Sequence, residues 1–248
     1  MKINSLLLIF LVMNLLLNDV SAQKHESDTI KTNQGNLVIH FLGHGTLMFE
    51  FNHMIIHVDP YSKVADYNML PKADLILITH AHQDHFDTSA LAKIHKENTL
   101  VDFTQECSNS GKYKGQATIM NNGDIQNILG MNIKAVPAYN IIGKRPDGQS
   151  FHPKGNGNGY IVTFGDKRVY VAGDTENIPE MKDFGTIDIA FLPMNLPYTM
   201  TPEQVADAAK MIQPKILYPY HYGNTDISKI VELLKDSKNI DLRIRDMK

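Results

Sequence analysis

His80, His82, Asp84 and His85 fall within one short run, Thr79-His80-Ala81-His82-Gln83-Asp84-His85-Phe86-Asp87, directly after the apolar stretch Leu75-Ile76-Leu77-Ile78. Three imidazoles and a carboxylate at the end of a buried strand are expensive to desolvate unless something binds them, and a divalent cation is the simplest partner. A solvated His-rich turn is the plain alternative, but four consecutive strand-type residues seldom lead into one. Two later residues share this placement. Asp174 follows Val169-Tyr170-Val171-Ala172 through Gly173, and His221 follows Ile216-Leu217-Tyr218-Pro219-Tyr220. Polar residues at the C-terminal ends of strands are where sites gather in layered α/β folds. Alone, Asp174 in Gly-Asp-Thr reads as a turn cap; beside the histidine run it reads as part of a metal centre.

The elements that must position these residues alternate along the chain. Strand-like runs cover Leu37 to Phe41, Thr46 to Phe51, Met54 to Val58 and Leu75 to Ile78, after a polar leader from Gln23 to Asn33. A helix is expected from Thr88 to His95. Further strands are expected at Ile133 to Val136, Tyr160 to Phe164, Arg168 to Ala172 and Ile187 to Leu192, the middle pair joined as a hairpin at Gly165-Asp166. The second half thus echoes the first. Thr201-Pro202 opens a capped helix through Ile212, Ile216 to Tyr218 delivers His221, and a last helix begins at Asp226 or Ser228. Asp241 to Ile244 reads as a final strand. The Gly- and Pro-rich segment from Ala138 to Gly159 predicts a mobile loop over the site.

Residues 1–22 have the three parts of a secretory signal peptide: Lys2, an apolar core from Leu6 to Met13, and Val20-Ser21-Ala22 before Gln23. Asn14, Asn18 and Asp19 interrupt the apolar run, which falls short of the roughly 20 residues needed to span a bilayer. The residue after Ala22 is Gln23 and not cysteine, so nothing suggests lipid attachment. Cleavage after Ala22 leaves 23–248 as one domain, periplasmic or secreted, with no membrane contact. Lys2 and Asp19 cancel, so the formal charge stays at -3; such a surface does not attract nucleic acid. Cys107 is the single cysteine, which excludes an intramolecular disulfide and reads as a small buried filler.

His-x-His-x-Asp-His, a later Gly-Asp-Thr and a late histidine after a strand together resemble the metallo-β-lactamase superfamily. Leu42-Gly43-His44-Gly45-Thr46, Val58-Asp59-Pro60-Tyr61, Val136-Pro137-Ala138-Tyr139-Asn140 and the segment Pro219 to Gly223 are similar to its UlaG-like branch of metal-dependent hydrolases, which includes ascorbate-phosphate lactonase. The resemblance implies an α/β fold, a four-layer αββα sandwich with one or two metals at its edge. It implies that His80 and His82 hold one metal, that Asp84, His85 and His221 hold another, and that Asp174 bridges them. Asp59 would support the histidine loop from behind. The family's third histidine of the first site is expected near Ala138-Tyr139-Asn140 and is absent there; His152 is the nearest substitute. Without it, a mononuclear centre would remain.

Mixed imidazole and carboxylate donors favour zinc, with manganese or iron as alternatives. Two such ions about 3.5–4 Å apart can generate hydroxide near neutral pH and stabilise developing negative charge. Asp84 would then orient the hydroxide or pass a proton, and His44 or Tyr139 would donate to an oxyanion. Redox enzymes on this scaffold carry Glu at the second ligand position; His82 favours hydrolysis instead. The expectation is an exported metal-dependent hydrolase acting on a small molecule, a lactone, ester or amide. A phosphodiesterase, a β-lactamase and a noncatalytic metal-binding or partner-binding module are the alternatives, the last prompted by the absent third histidine. His40, His53 and His57 read as structural or surface residues, and Lys144, Arg145 and Lys154 as a solvated cluster or a contact for an anionic substrate.

Overall fold

Period-two alternation sets the faces of the strands. In the computed structural model, which describes residues 25–248, Leu37, Ile39 and Phe41 of one strand and Leu47, Phe49 and Phe51 of the next point to the same interior and are buried. The signal-peptide reading of residues 1–22 lies outside the described residues. The first sheet runs in chain order through β1 Glu26–Thr32, β2 Gly35–Gly43, β3 Thr46–Phe51, β4 Met54–Val58, β5 Leu75–Leu77, β6 Leu100–Phe103 and β7 Thr118–Ile119. The second runs through β8 Ile125–Ile128, β9 Met131–Ala138, β10 Gly157–Phe164, β11 Lys167–Val171, β12 Ile189–Pro193, β13 Ile216–Tyr220 and β14 Asp241–Leu242. In each sheet the first four strands pair antiparallel and the remaining pairings are parallel. The echo between the halves is therefore topological.

The two sheets face each other across one apolar core. Phe191 sits at its centre, stacked on Tyr218 with ring centroids 5.0 Å apart and near Phe41 and Phe49. Helix α1, Thr88–Ile94, covers the outer face of the first sheet, burying Ala90, Leu91 and Ile94 against Ile76, Ile78 and Val101. A short helix α2, Gln105–Asn109, adds buried Cys107 to this layer. Helix α3, Pro202–Ile212, buries Val205, Ala206, Ala208, Ala209 and Ile212 against the second sheet, with α4, Ser228–Leu234, beside it. The layers are αββα, as expected. The caps explain where the helices start. Asp87 accepts from the backbone of Ser89 and Ala90 at the head of α1, and Thr201 and Gln204 form a reciprocal capping box at the head of α3.

Several boundaries differ from the sequence reading. The polar leader is strand β1, paired along its whole length with β2 and fastened by Asp28, which accepts from Arg245 at 2.7 Å and from Arg243 at 3.0 Å. The loop after Ala138 is shorter than expected because β10 already starts at Gly157. Its base is fastened rather than free: the carboxylate of Glu176 accepts from the backbone of Ile141 and Ile142 at 2.8 Å each and of Gly143 at 2.6 Å. The final strand is only Asp241–Leu242. Among the described residues, no helix is long and apolar enough to cross a membrane.

Candidate metal centre

Strand ends from both sheets converge at one edge of the sandwich. The turn after β5 presents His80, His82, Asp84 and His85, with the carbonyl of His82 accepting from the backbone of His85 and Phe86 to hold its curvature. Buried Phe86 anchors the turn in the outer core layer. β11 ends at Val171, ahead of Asp174, β13 ends just before His221, and the loop between β9 and β10 delivers His152. His44, Asp59 and His221 adopt left-handed backbone at φ of 53°, 47° and 45°. Non-glycine residues adopt that conformation rarely, and it tends to mark functional positions. Gly45 must lack a side chain, because a Cβ there would lie 2.8 Å from the His85 ring.

The donors form two clusters. His80, His82, His152 and Asp174 offer ligand atoms that all lie within 4.8 Å of one another, and so do those of His44, Asp84, His85 and His221. Asp174 stands between the clusters. Its Oδ2 lies 3.2 Å from His152 Nε2 and 3.9 Å from His80 Nε2, while its Oδ1 lies 3.3 Å from His85 Nε2 and 3.4 Å from His221 Nε2. Within each cluster, bare ring nitrogens face each other: His80 Nε2 is 3.0 Å from His82 Nδ1, and His85 Nε2 is 3.1 Å from His221 Nε2.

The surrounding hydrogen bonds decide which nitrogens are bare. Buried Asp59 accepts from the backbone of Thr79 at 2.7 Å, from the Thr79 hydroxyl at 2.6 Å and from His85 Nδ1 at 2.8 Å. Since that hydroxyl donates to Asp59, it is left to accept from His80 Nδ1 at 3.0 Å. His152 Nδ1 donates to Asn140 Oδ1 at 2.6 Å. Each of these three histidines thus keeps its hydrogen on the outer nitrogen and turns a lone pair inward, the arrangement a metal ligand requires.

Electrostatics agree. Burial, with charge from neighbouring histidines, lowers the His82 pKa to about 4; burial also lowers that of His221 to about 3 and that of His80 well below its ordinary value. These rings stay neutral. Burial alone would also lower His85, but the carboxylates of Asp174, Asp59 and Asp84 overcome it and raise that ring to about 10. The centre therefore attracts positive charge, either a proton on the inward nitrogen of His85 or a cation that displaces it. Burial opposes ionisation of Asp174, yet His221, His85 and His152 hold its carboxyl well below the usual range. Its Oδ1 is buried with no hydrogen-bond partner. An unpartnered carboxylate oxygen among inward lone pairs is a donor set that divalent cations satisfy. The residues fit the metal that the sequence implies.

One of the expected contributors stands elsewhere. Tyr139 is not at the centre: its hydroxyl donates to Glu180 at 3.0 Å, accepts from Lys154 at 3.3 Å, and lines neither cavity beside the donors. Its place just after the end of β9 turns it toward the 3-10 turn Pro179–Asp183. His44 joins the second cluster, with its Nε2 2.9 Å from Asp84 Oδ2, so its ring is engaged with that carboxylate. The sequence reading missed Thr79, Asn140 and Glu176. Asn140 lay within a motif already singled out, and Glu176 directly follows Asp174-Thr175, so proximity to known donors was the available signal.

Comparison with known proteins agrees with this geometry. Residues 38–221 match the family model described as the β-lactamase superfamily domain. The UPF0173 metal-dependent hydrolase of Nanoarchaeum equitans is 34% identical over 196 residues, covering 77% of this chain and 86% of that relative. A UPF0173 metal-dependent hydrolase of Thermus thermophilus is 34% identical over 192 residues, covering 75% of this chain and 83% of that relative. Among solved structures, a candidate metal-dependent hydrolase from Parabacteroides distasonis ATCC 8503 shares 49% identity and a TM-score of 0.85, covering 91% of this chain and all of that one. The chain belongs to the β-lactamase superfamily domain family, of metallo-β-lactamase fold, and is a metal-dependent hydrolase similar to the UPF0173 group.

Proposed function

We propose that the protein hydrolyses a carboxylic ester, lactone or amide in a small molecule, using zinc held by two clusters that share Asp174. The observation that carries this reading is Asp174 itself, whose two oxygens face different sets of histidines. His80, His82 and His152 would hold one ion, and Asp84, His85 and His221 the other. Bound there, zinc supplies Lewis acidity that makes water reactive near neutral pH and polarises a substrate oxygen.

The chain's own residues do the rest. Asp84 is the half-exposed carboxylate at the edge of the second cluster and lines a cavity of about 430 Å3. Burial would raise its pKa, but the hydrogen bond from His44 and the charge of His85 hold it well below the usual range. It is therefore a standing acceptor that orients the attacking water. Phe151 and Tyr198, edge to face with centroids 5.0 Å apart, form an apolar wall that limits bulk water on one side. Flavodiiron-type redox work would need Glu where His82 stands. The noncatalytic alternative was prompted by the absent third histidine; the approach of His152 Nε2 to Asp174 Oδ2 at 3.2 Å supports the hydrolytic reading instead.

Export through residues 1–22 is part of the same proposal and would put the enzyme in the periplasm or outside the cell. The test is turnover of a panel of esters, lactones, amides, phosphodiesters and β-lactams by the purified protein, before and after chelation, with metal content measured alongside. Turnover confined to the carboxylic substrates, lost on chelation and restored by zinc, is expected. Turnover confined to phosphodiesters, or none by fully zinc-loaded protein, would overturn the reading.

A further inference from the structure

We infer that the active site selects substrates carrying an anionic group, a carboxylate or phosphonate-like oxyanion, and that Arg145 is the residue that binds it. This rests on the hydrolytic reading of the same centre and adds its substrate class. Arg145 lines both cavities beside the metal donors, the one of about 430 Å3 and a narrower one of about 190 Å3. Its Nη2 donates to the carbonyl of Phe151 at 3.2 Å, which aims the guanidinium across the mouth of the site. Nη2 also lies 3.5 Å from His82 Nε2. With a metal on His82 Nδ1, Nε2 would carry the hydrogen, and this approach would become a contact between two donors that leaves the arginine free for an anion.

The other cations of the loop behave differently. Lys154 is paired with Glu180 at 2.7 Å, and Lys144 lines neither cavity. Among the described residues no carboxylate pairs with Arg145, and its Nε and Nη1 have no hydrogen-bond partner. An exposed guanidinium at a cavity mouth, with no carboxylate partner and with Nε and Nη1 free, offers planar donors suited to a carboxylate or phosphonate in two-pronged geometry. In the larger cavity the side-chain amide of Asn195 is also without a hydrogen-bond partner among the described residues, and Tyr198 with Phe151 supplies an apolar surface. The ligand chemistry that fits is an anionic head near Arg145 on an aryl or alkyl body.

The direct test is calorimetric titration of the zinc-loaded protein with phenylphosphonate, which is not hydrolysed, against its neutral dimethyl ester. Wild type should bind phenylphosphonate and not the ester. Arg145→Met should weaken that binding at least 10-fold at unchanged metal content, with Arg145→Lys in between. Equal affinity in wild type and Arg145→Met would show that the metals alone hold the anion and would overturn the assignment. A second arm compares two aryl succinates, one with a free carboxylate and one methylated. The preference in kcat/KM for the free acid should shrink at least 10-fold in Arg145→Met, mainly through KM. A wild-type preference for the methylated member would also contradict it. If neither succinate is turned over, the hydrolytic reading is what fails, and the phenylphosphonate titration still decides on Arg145.

Discussion

Asp59 illustrates how single residues govern the centre without touching its interior. By accepting from His85 directly and from His80 through the Thr79 hydroxyl, it fixes the tautomer of one histidine in each cluster. Asp174 has the complementary task, presenting one oxygen to each. Asp174→Ala should therefore drop bound zinc from two ions per chain to one or none, measured by plasma emission after dialysis, and reduce turnover at least a thousandfold. Two tightly held ions in that variant would refute the bridging role. At this scale the sequence was most legible where spacing is dense: the run from His80 to His85 announces itself. Tyr139 was misjudged because adjacency in sequence does not fix direction, and the backbone sends it to Glu180 instead.

Elements decide whether distant donors arrive together. The turn Asp174-Thr175-Glu176 serves two purposes: Asp174 sits among the donors, while Thr175 and Glu176 hold the start of the loop that carries His152 and Arg145. Removing the Glu176 carboxylate leaves three backbone hydrogens without their acceptor, a loss of about 1–3 kcal/mol. Glu176→Ala should consequently weaken zinc at the cluster of His80, His82 and His152 at least 10-fold while sparing the other, seen as one weak and one strong site in a chelator competition. Uniform weakening of both sites, or none, would contradict this. The strands facing the core were readable from alternation, but β1 was not. It is an edge strand whose sequence, Glu26-Ser27-Asp28-Thr29-Ile30-Lys31-Thr32, buries little, so pairing and the ties of Asp28 to Arg243 and Arg245 order it instead.

Across the whole molecule, fold and site draw on the same core, and not every buried charge serves the chemistry. Asp102 on β6 is buried with one carboxylate oxygen unpartnered. Burial raises its pKa to about 6, against the hydroxyl of Thr118. Its folded value thus exceeds the unfolded one, so the folded protein holds the proton more tightly between about pH 4 and 6. Its contribution to stability is present below that window and lost as pH rises through about 6. Asp102→Asn should stabilise the metal-free protein by about 1–3 kcal/mol at pH 7.5, with the gain shrinking by about pH 4.5, as read by urea unfolding. A gain independent of pH would show that burial does not govern this residue. The layered architecture followed from alternating strand runs and the resemblance they carried, whereas β6 to β8 were too short or too polar to be seen.

The proposed sharing of Asp174 between two metal-holding clusters underlies the proposed mechanism, and anomalous diffraction at the zinc edge tests it most directly. Crystals of zinc-loaded protein should show two peaks flanking Asp174, one among His80, His82 and His152 and one among Asp84, His85 and His221. Peaks remote from Asp174, or no ordered zinc at either cluster, would contradict the account.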